Sequence, residues 1–208
     1  MKDYTQSTME NSDLKIGLVI MASGLGKRFG GNKLLETLGS KPVIQWIIDT
    51  TDSLFYKRVV VTRNNDIKKL CDDIGIDCIL HEFPNRNDTV RLGLSWQKDE
   101  VDYCFFTPSD QPLISRSSIT NLITTSKKHN GKIIRACYKD TIGTPTGFPK
   151  RYFNELLDLP ERKGGNLVAA RHEDEVYKVD VSNEYELMDI DTISDLNKIK
   201  ELINNIHN

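Results

Sequence analysis

The apolar residues of this chain follow two alternating patterns. Short, nearly continuous apolar runs are typical of strands covered on both faces, and they alternate with the three-to-four-residue spacing of amphipathic helices. The runs predict strands at residues 16–21, 58–62, 78–81, 101–107 and 132–138. The helical spacing predicts helices at 43–54, 65–74, 88–97 and 117–129. Because parallel strands need crossover connections, the alternation predicts an α/β fold with a mainly parallel sheet and helices on both faces.

The pattern is less regular after residue 140. Residues 143–149 are rich in glycine and proline and predict no regular element, and a glycine loop at 163–165 separates predicted helices at 151–157 and 166–171. A strand is predicted at 175–181, and a helix at 194–206 begins with Thr192 and Asp195, which resemble a capping box. Residues 1–13 are polar and predict a flexible tail, so we expect residues 14–208 to form a single domain.

Composition limits the classes of ligand. A net charge of −2 gives no general attraction to nucleic acid or to an anionic membrane, so a phosphate ligand needs a local site and small nucleotides fit better than polymers. No apolar stretch is long enough to span a bilayer, and residues 1–13 do not resemble a signal peptide; we expect a cytoplasmic protein. The cysteines show no zinc-binding spacing and the histidines are scattered, so reduced thiols and surface or packing histidines are expected.

The first predicted strand runs directly into a glycine-rich loop that carries three cations. Residues 18–33 read LVIMASGLGKRFGGNK, with the cations at Lys27, Arg28 and Lys33. Glycines allow close approach of a ligand to the backbone, and the cations supply charge for phosphates. A solvated turn is the simpler alternative, but the buried strand before the loop favours a nucleotide triphosphate site.

Two common phosphate loops do not match this spacing. A dinucleotide fingerprint needs a third glycine at the position of Phe29, and a Walker A loop needs a lysine where Asn32 follows Gly31. The loop therefore fits neither a nicotinamide dehydrogenase nor a P-loop NTPase.

The run at residues 21–30, followed by Lys33 and by Leu-Gly-Ser-Lys-Pro at 38–42, is similar to the signature of MobA-like nucleotidyltransferases. That resemblance implies a three-layer Rossmann-like nucleotidyltransferase fold with a mainly parallel twisted sheet. It also implies transfer of a nucleoside monophosphate from an NTP to a phosphate on an acceptor, with release of pyrophosphate. The implied nucleotide-binding residues are Met21, Ala22, Ser23, Gly24, Gly26, Lys27, Arg28, Phe29, Gly30, Lys33, Asn87 and Thr89. An ordinary capped helix is an equal alternative for the last two.

Two aspartates are candidates for holding a divalent cation. Asp110 follows the strand at 101–107, so it should reach the same sheet edge as the glycine loop; its alternative is a turn aspartate before Gln111. In the family, a similar Asp-x-Pro aspartate binds the metal, and the resemblance makes Arg28, Lys33 and Asp110 the catalytic residues. Asp189 is the implied second ligand, and Asp191, expected on the same side if the segment is extended, has the alternative of a helix cap. Mg²⁺ is the expected cofactor, with Mn²⁺ as a substitute.

The acceptor is implied by a closer resemblance to the molybdenum cofactor cytidylyltransferase (MocA-like) branch. Its Gly-x-Pro-x-x-Phe and glycine-loop elements correspond here to residues that would bind the acceptor: Gly143, Thr144, Pro145, Phe148, Lys163 and Gly164. Without the resemblance, these residues would indicate a hairpin turn and a helix cap.

The resemblance also bears on the nucleotide, because Ser23 stands where CTP-using relatives carry alanine and GTP-using relatives carry glycine. We therefore expect CTP and molybdopterin as substrates and molybdopterin cytosine dinucleotide as product, with a recipient molybdoenzyme or its chaperone as a partner the reaction allows. The open alternatives are a GTP-using molybdenum cofactor guanylyltransferase, a nucleotidyltransferase for sugar phosphates or other small phosphates, and a binding protein that performs no transfer.

Overall fold

A seven-stranded sheet forms the middle layer of the computed structural model, which describes residues 14–24, 26 and 28–206. The strands are β1 (Ile16–Ala22), β2 (Thr37–Leu38), β3 (Lys41–Pro42), β4 (Lys57–Thr62), β5 (Cys78–Leu80), β6 (Tyr103–Pro108), β7 (Ile133–Tyr138), β8 (Thr141–Pro149) and β9 (Val176–Asp180). The helices are α1 (Val43–Thr50), α2 (Asn65–Ile74), α3 (Arg86–Gln97), α4 (Arg116–Lys128), α5 (Phe153–Leu157), α6 (Gly165–Arg171) and α7 (Ile193–Ile206). The predicted tail at 1–13 and Lys27 lie outside the described residues.

The sheet order is β5-β4-β1-β6-β8-β7-β9, and the short strands β2 and β3 pair separately. All neighbouring pairs in the large sheet are parallel except those of β8, which runs antiparallel to β6 and β7. This confirms the mainly parallel α/β sheet that the sequence predicts.

Helices cover both faces of the sheet, and the side chains of β1 alternate between two cores, one on each face. Leu18 and Ile20 point into a core that includes residues of α1, α2, α4 and α7. Val19, between them, points into a second core with residues of α3, α5 and α6. These three residues are completely buried, which is the expected environment for a strand with a continuous apolar sequence. Because β1 pairs in parallel with β4 and β6, the carboxyl ends of these three strands lie along one edge.

Several predicted boundaries agree with the structure in physical detail. The side chain of Asn64 accepts hydrogen bonds from the N–H groups of Asp66 and Ile67, and Gly75 ends α2 with a φ of 74°. At the start of α7, the Asp195 N–H donates to Thr192 Oγ1, 3.2 Å away, and the Thr192 N–H donates to the Asp195 carboxylate at 2.7 Å. These reciprocal bonds confirm the capping box.

Other boundaries differ. The helix predicted at 43–54 ends at Thr50, where Arg58 donates a hydrogen bond to the carbonyl of Ile48 and fixes the following turn. The helix predicted at 151–157 begins as a 3-10 turn over Lys150–Tyr152 before α5.

The irregular segment expected at 143–149 is wrong, because these residues belong to the nine-residue strand β8. Glycine and proline suggested a turn, but tertiary packing decides the conformation here. A Cβ on Gly147 would lie 2.5 Å from the ring of Tyr103 and 2.6 Å from that of Phe105, two side chains of the neighbouring strand. Glycine therefore lets β8 pass over two buried aromatic rings and insert into the middle of the sheet.

All four cysteines, at positions 71, 78, 104 and 137, are free thiols in the structure. Among the helices of the described residues, none combines the length and the apolar character needed to cross a bilayer.

Gly147→Ala should destabilise the protein by about 1–3 kcal/mol, because the new methyl group overpacks the aromatic rings under β8. Chemical denaturation measures the free energy of unfolding. Gly31→Ala is the matched control, since a Cβ there meets nothing within 4 Å. Equal stability of the two variants would contradict the packing role of Gly147.

Candidate active site

A cavity of about 690 Å³ opens where the carboxyl ends of β1, β4 and β6 meet. Such an edge is where open α/β sheets bind ligands. Eleven of the residues predicted for nucleotide, metal or acceptor binding line this cavity: Met21, Ser23, Gly24, Gly26, Arg28, Lys33, Thr89, Asp110, Gly143, Thr144 and Asp189. The structure therefore brings together side chains that are up to 168 positions apart in the chain.

The remaining predicted residues lie elsewhere. Ala22 and Phe29 are buried in the core beside α1, and Gly30 is exposed on the loop but does not line the cavity. Asn87 accepts a hydrogen bond from the backbone N–H of Arg162, and Pro145 is buried in β8.

A second cavity of about 340 Å³ contains Phe148, Lys163 and Gly164 and shares Met21 and Thr144 with the first. The two cavities are therefore neighbours along one surface of the sheet edge.

The glycine loop is folded back on itself by Gly26. This residue has a φ of +58°, and its carbonyl accepts hydrogen bonds from the N–H groups of Phe29 and Gly30 at 2.9 and 3.1 Å. A Cβ on Gly26 would lie 2.4 Å from the carbonyl oxygen of Gly31, so a larger residue would open the turn. Phe29 anchors the turn in the core, while the neighbouring Arg28 is exposed at the cavity wall.

A buried lysine pairs with two aspartates at the centre of the cavity. Lys33 Nζ lies 2.5 Å from Asp110 Oδ2 and 3.1 Å from Asp191 Oδ1, and Arg28 lies 2.8 Å from the other oxygen of Asp191. Burial alone would lower the pKa of Lys33, but the charge and hydrogen bond of Asp110, joined by those of Asp191, outweigh it and raise that pKa. Lys33 therefore stays cationic at neutral pH, in contact with both acids.

The two acidic segments are joined through the backbone. The N–H of Ile190 donates to the carbonyl of Asp110 at 3.0 Å, so the segment before α7 lies against the end of β6. Ile190 is fully buried while Asp189 and Asp191, on either side of it, both line the cavity, which confirms the predicted alternation. The alternative of Asp191 as a helix cap is wrong for its side chain, because Thr192 caps α7 and Asp191 instead pairs with Arg28 and Lys33.

These carboxylates suit a divalent cation that is completed by a substrate. Loss of hydration at the cavity wall, reinforced by the charges of Asp110 and Asp191, raises the pKa of Asp189. Among the described residues, no group of three or more His, Cys, Asp or Glu side chains is arranged to hold a metal by itself. Mg²⁺ commonly takes one or two carboxylates and completes its shell with water and phosphate oxygens, so Asp110 and Asp189 fit such an ion.

Ser23 is held by two partners, one of which was not expected in the site. Its Oγ donates to the carbonyl of Val61 at 3.1 Å and lies 2.8 Å from Nε2 of His81. His81 is buried, its Nδ1 has no hydrogen-bond partner among the described residues, and burial followed by the charge of Arg63 lowers its pKa. The sequence indicated only a surface or packing histidine, whereas His81 fixes the hydroxyl that lines the cavity.

Arginines that the sequence analysis did not select also line the cavity. Arg63 donates twice to the carbonyl of Ser23, through Nε at 2.9 Å and a terminal nitrogen at 2.5 Å. Its position directly after β4 is a signal of the same kind that identified Asp110 after β6. Arg86, at the start of α3, and Arg135, inside β7, are further lining residues. Nothing in the sequence around Arg135 distinguishes it from an ordinary strand residue.

The comparison with protein families gives a match over most of the chain. The family model described as MobA-like NTP transferase domain matches residues 18–176. The probable molybdenum cofactor guanylyltransferase of Aquifex aeolicus (strain VF5) is 22% identical over 188 residues, which are 89% of this chain and 90% of that protein. The bifunctional protein GlmU of Buchnera aphidicola subsp. Schizaphis graminum (strain Sg) is 26% identical over 170 residues, 79% of this chain. The chain spans only 36% of that GlmU.

Solved structures show the same fold. Rv0371c from Mycobacterium tuberculosis H37Rv superposes with a TM-score of 0.80 at 21% identity, covering 90% of this chain and 98% of that one. A manganese complex of the same protein superposes with a TM-score of 0.72. The α/β nucleotidyltransferase fold expected from the sequence is confirmed.

Asp189→Asn should raise the melting temperature at pH 7 when divalent cations are absent. Because the pKa of Asp189 is raised, its contribution to stability is complete below the usual carboxyl pKa of about 4 and is lost as the pH rises through the raised value. The advantage of the variant should therefore shrink as the pH falls towards 4, and added Mg²⁺ should stabilise the wild type more than the variant.

Melting temperatures measured between pH 4 and pH 7 test the pH dependence, and melting temperatures with and without Mg²⁺ test the effect of the cation. Asp73→Asn, an exposed change on α2, is the control and should show neither. A wild type that is more stable than Asp189→Asn at pH 7 without cations would contradict the electrostatic description of the site.

Proposed function

This chain belongs to the MobA-like NTP transferase family, and we propose that it transfers CMP from CTP to the phosphate of molybdopterin, forming molybdopterin cytosine dinucleotide and pyrophosphate. The observation that carries the proposal is the pairing of Lys33 with Asp110 and Asp191 beside a glycine loop at the carboxyl edge of the sheet. Together, this cluster and the loop supply cations for a triphosphate and carboxylates for a divalent cation in one cavity. We expect the reaction to take place in the cytoplasm.

Transfer of this kind depends on position and charge more than on a nucleophilic side chain. An oxygen of the acceptor phosphate bonds to the α-phosphorus while the bond from that phosphorus to the pyrophosphate oxygen breaks. We assign Arg28 and Lys33 to the triphosphate, where they offset the negative charge that develops on the departing pyrophosphate. Among the described residues, Arg28 is exposed and paired only with Asp191, whereas Lys33 is buried and paired with both Asp110 and Asp191.

Asp110 and Asp189 would hold Mg²⁺, or Mn²⁺ in its place, and Asp191 lies beside them. When bound, the cation supplies charge neutralisation on the phosphates. The manganese complex of the structural neighbour Rv0371c agrees with a divalent cation in this fold. In the free protein Lys33 balances the carboxylates, which explains how several acids share one cavity.

The preference for CTP rests on Ser23. Its side chain is held by Val61 and His81, so it cannot easily rotate away from a base bound beside β1, and the space for a purine is reduced. GTP is a second candidate, because a relative that matches nearly the full length is described as a guanylyltransferase. The choice of base therefore depends on the room left by one fixed side chain.

The acceptor is assigned to the side of the two cavities formed by β8 and the start of α6. Phe148 gives that side an apolar floor and Lys163 a cationic rim, a combination that suits a ring system bearing a phosphate. Gly143, Thr144 and Gly164 line the same region, whereas Pro145, also expected there, is buried in β8 and lines neither cavity. Sugar phosphates or other small phosphates would use the same chemistry, and a binding protein would use the same cavities without transfer.

Mass spectrometry of products tests the proposed reaction. The protein is incubated with Mg²⁺, an acceptor and either CTP or GTP, with molybdopterin, a sugar phosphate and no acceptor as parallel samples. We expect the cytosine dinucleotide of molybdopterin and equimolar pyrophosphate. A guanine product in greater yield would contradict the base assignment, and a sugar-nucleotide product would contradict the acceptor.

Asp110→Asn should lower the rate of pyrophosphate release at least about a hundredfold while the protein stays folded. The amide keeps the size of the side chain but loses the charge that holds the cation and pairs with Lys33. The control is Asp73→Asn on α2. Unchanged turnover in Asp110→Asn would refute its role at the metal, and a wild type that binds nucleotide but never turns it over would favour the binding protein.

Ser23→Gly should raise the ratio of GTP to CTP turnover by about tenfold, because removing the side chain enlarges the space for the base. Ser23→Ala separates space from hydrogen bonding, since it keeps the Cβ but loses the bonds to Val61 and His81. We expect Ser23→Ala to keep most of the preference for CTP. A larger change in Ser23→Ala than in Ser23→Gly would show that the hydroxyl, not the space, selects the base.

A further inference from the structure

The arginines of this chain divide into two groups according to their partners. Five of the ten form salt bridges with carboxylates: Arg28, Arg58, Arg91, Arg151 and Arg171. The other five form none with any described residue, and all of these except Arg116 line the two cavities: Arg63, Arg86, Arg135 and Arg162. Among the arginines, the guanidinium groups without a described carboxylate partner are therefore concentrated around the cavities.

Arg135 is the member of this group with the least satisfied side chain. One terminal nitrogen donates to Oδ1 of Asn166 at 3.0 Å and reaches the carbonyl of Gly143 at 3.4 Å. Its Nε is buried and has no hydrogen-bond partner among the described residues. Loss of hydration lowers the pKa of Arg135, and no neighbouring acid offsets that effect. A half-buried guanidinium without an acidic partner is costly to the folded protein, and an anion bound in the cavity that Arg135 lines would offset that cost.

The position of Arg135 in the sheet separates it from the donor loop. The glycine loop follows β1, and Arg135 lies on β7, which is three strands away in the order β1-β6-β8-β7. At about 4.8 Å per strand, this places Arg135 about 14 Å along the sheet from the strand that carries the loop. Asp110 follows β6, between them. An anion bound by Arg135 would thus approach the metal carboxylates from the side opposite the glycine loop.

We propose that Arg135 binds the phosphate of the acceptor, a phosphomonoester, and presents it to the nucleotide. The proposal deepens the proposed function and rests on it for the identity of the reacting group. Two N–H groups of a guanidinium match two oxygens of a phosphate, a geometry that lysine does not reproduce. A phosphate dianion brings its own electron pair to the α-phosphorus, so its attack requires no proton transfer, and pyrophosphate leaves with the electrons of the broken bond.

Calorimetric titration with phenyl phosphate tests this assignment in the full-length protein. The donor site is first saturated with CTP or GTP, whichever binds more tightly, together with Ca²⁺. We expect the wild type to bind phenyl phosphate and Arg135→Gln to bind it at least about tenfold more weakly. Arg135→Lys should fall between them, and Arg171→Gln, which removes a paired surface arginine, should match the wild type. Nucleotide affinity should stay the same in every variant.

Several results would overturn the proposal. The first is a wild type that binds no phenyl phosphate. The second is an Arg135→Gln variant that loses nucleotide affinity while it binds phenyl phosphate normally. The third is an Arg135→Lys variant that binds phenyl phosphate as weakly as Arg135→Gln and has a lowered melting temperature. The last result would show that Arg135 only braces Gly143 and Asn166. The transfer assay tests the proposed function separately. If the protein binds phenyl phosphate through Arg135 but forms no transfer product, the anion subsite stands and the proposed function is refuted.

Discussion

The contact between Lys33 and the two aspartates is the interaction on which this site depends. A buried ammonium group is costly without a counter-charge, and two carboxylates close together repel each other unless a cation lies between them. Lys33, Asp110 and Asp191 resolve both problems at once, although they come from the glycine loop, the end of β6 and the segment before α7. The hydrogen bond from Ile190 to Asp110 holds the two acidic segments together. The glycine loop, the end of β6 and the segment before α7 therefore hold one another in position.

The sheet gives the cavity two chemically different ends. Parallel strands β1, β4 and β6 bring their carboxyl ends to one edge, where Ser23 and Arg63 follow β1 and β4 directly and Asp110 is the second residue after β6. The antiparallel strand β8 then extends the sheet, and with the start of α6 it lines the neighbouring second cavity, where apolar and cationic side chains are present and no described carboxylate is. In the proposed reaction the nucleotide would lie beside the acids and the acceptor beside Arg135 of β7.

Sequence reasoning succeeded where a local pattern and the tertiary structure make the same demand. Apolar runs identified the parallel strands, and Asp110 could be placed because residues that follow parallel strands meet at one edge. It failed at β8, since the rings of Tyr103 and Phe105 determine the place of Gly147 and neither is near it in the chain. The contacts of His81 and Arg135 were missed for the same reason, because the partners of each side chain are defined only by the folded chain. The capping box of Thr192 and Asp195 was predicted correctly, and it leaves the side chain of Asp191, the alternative cap, to pair with Arg28 and Lys33.

The most direct measurement is a crystal structure of the protein with a non-hydrolysable CTP analogue and Mn²⁺, located by its anomalous scattering. We expect one manganese ion in contact with Asp110 and Asp189, with the triphosphate against Arg28 and Lys33. A manganese ion bound away from these carboxylates, or a triphosphate that leaves the Lys33–Asp110 pair facing an empty cavity, would contradict the assignment of this edge as a metal-assisted transfer site.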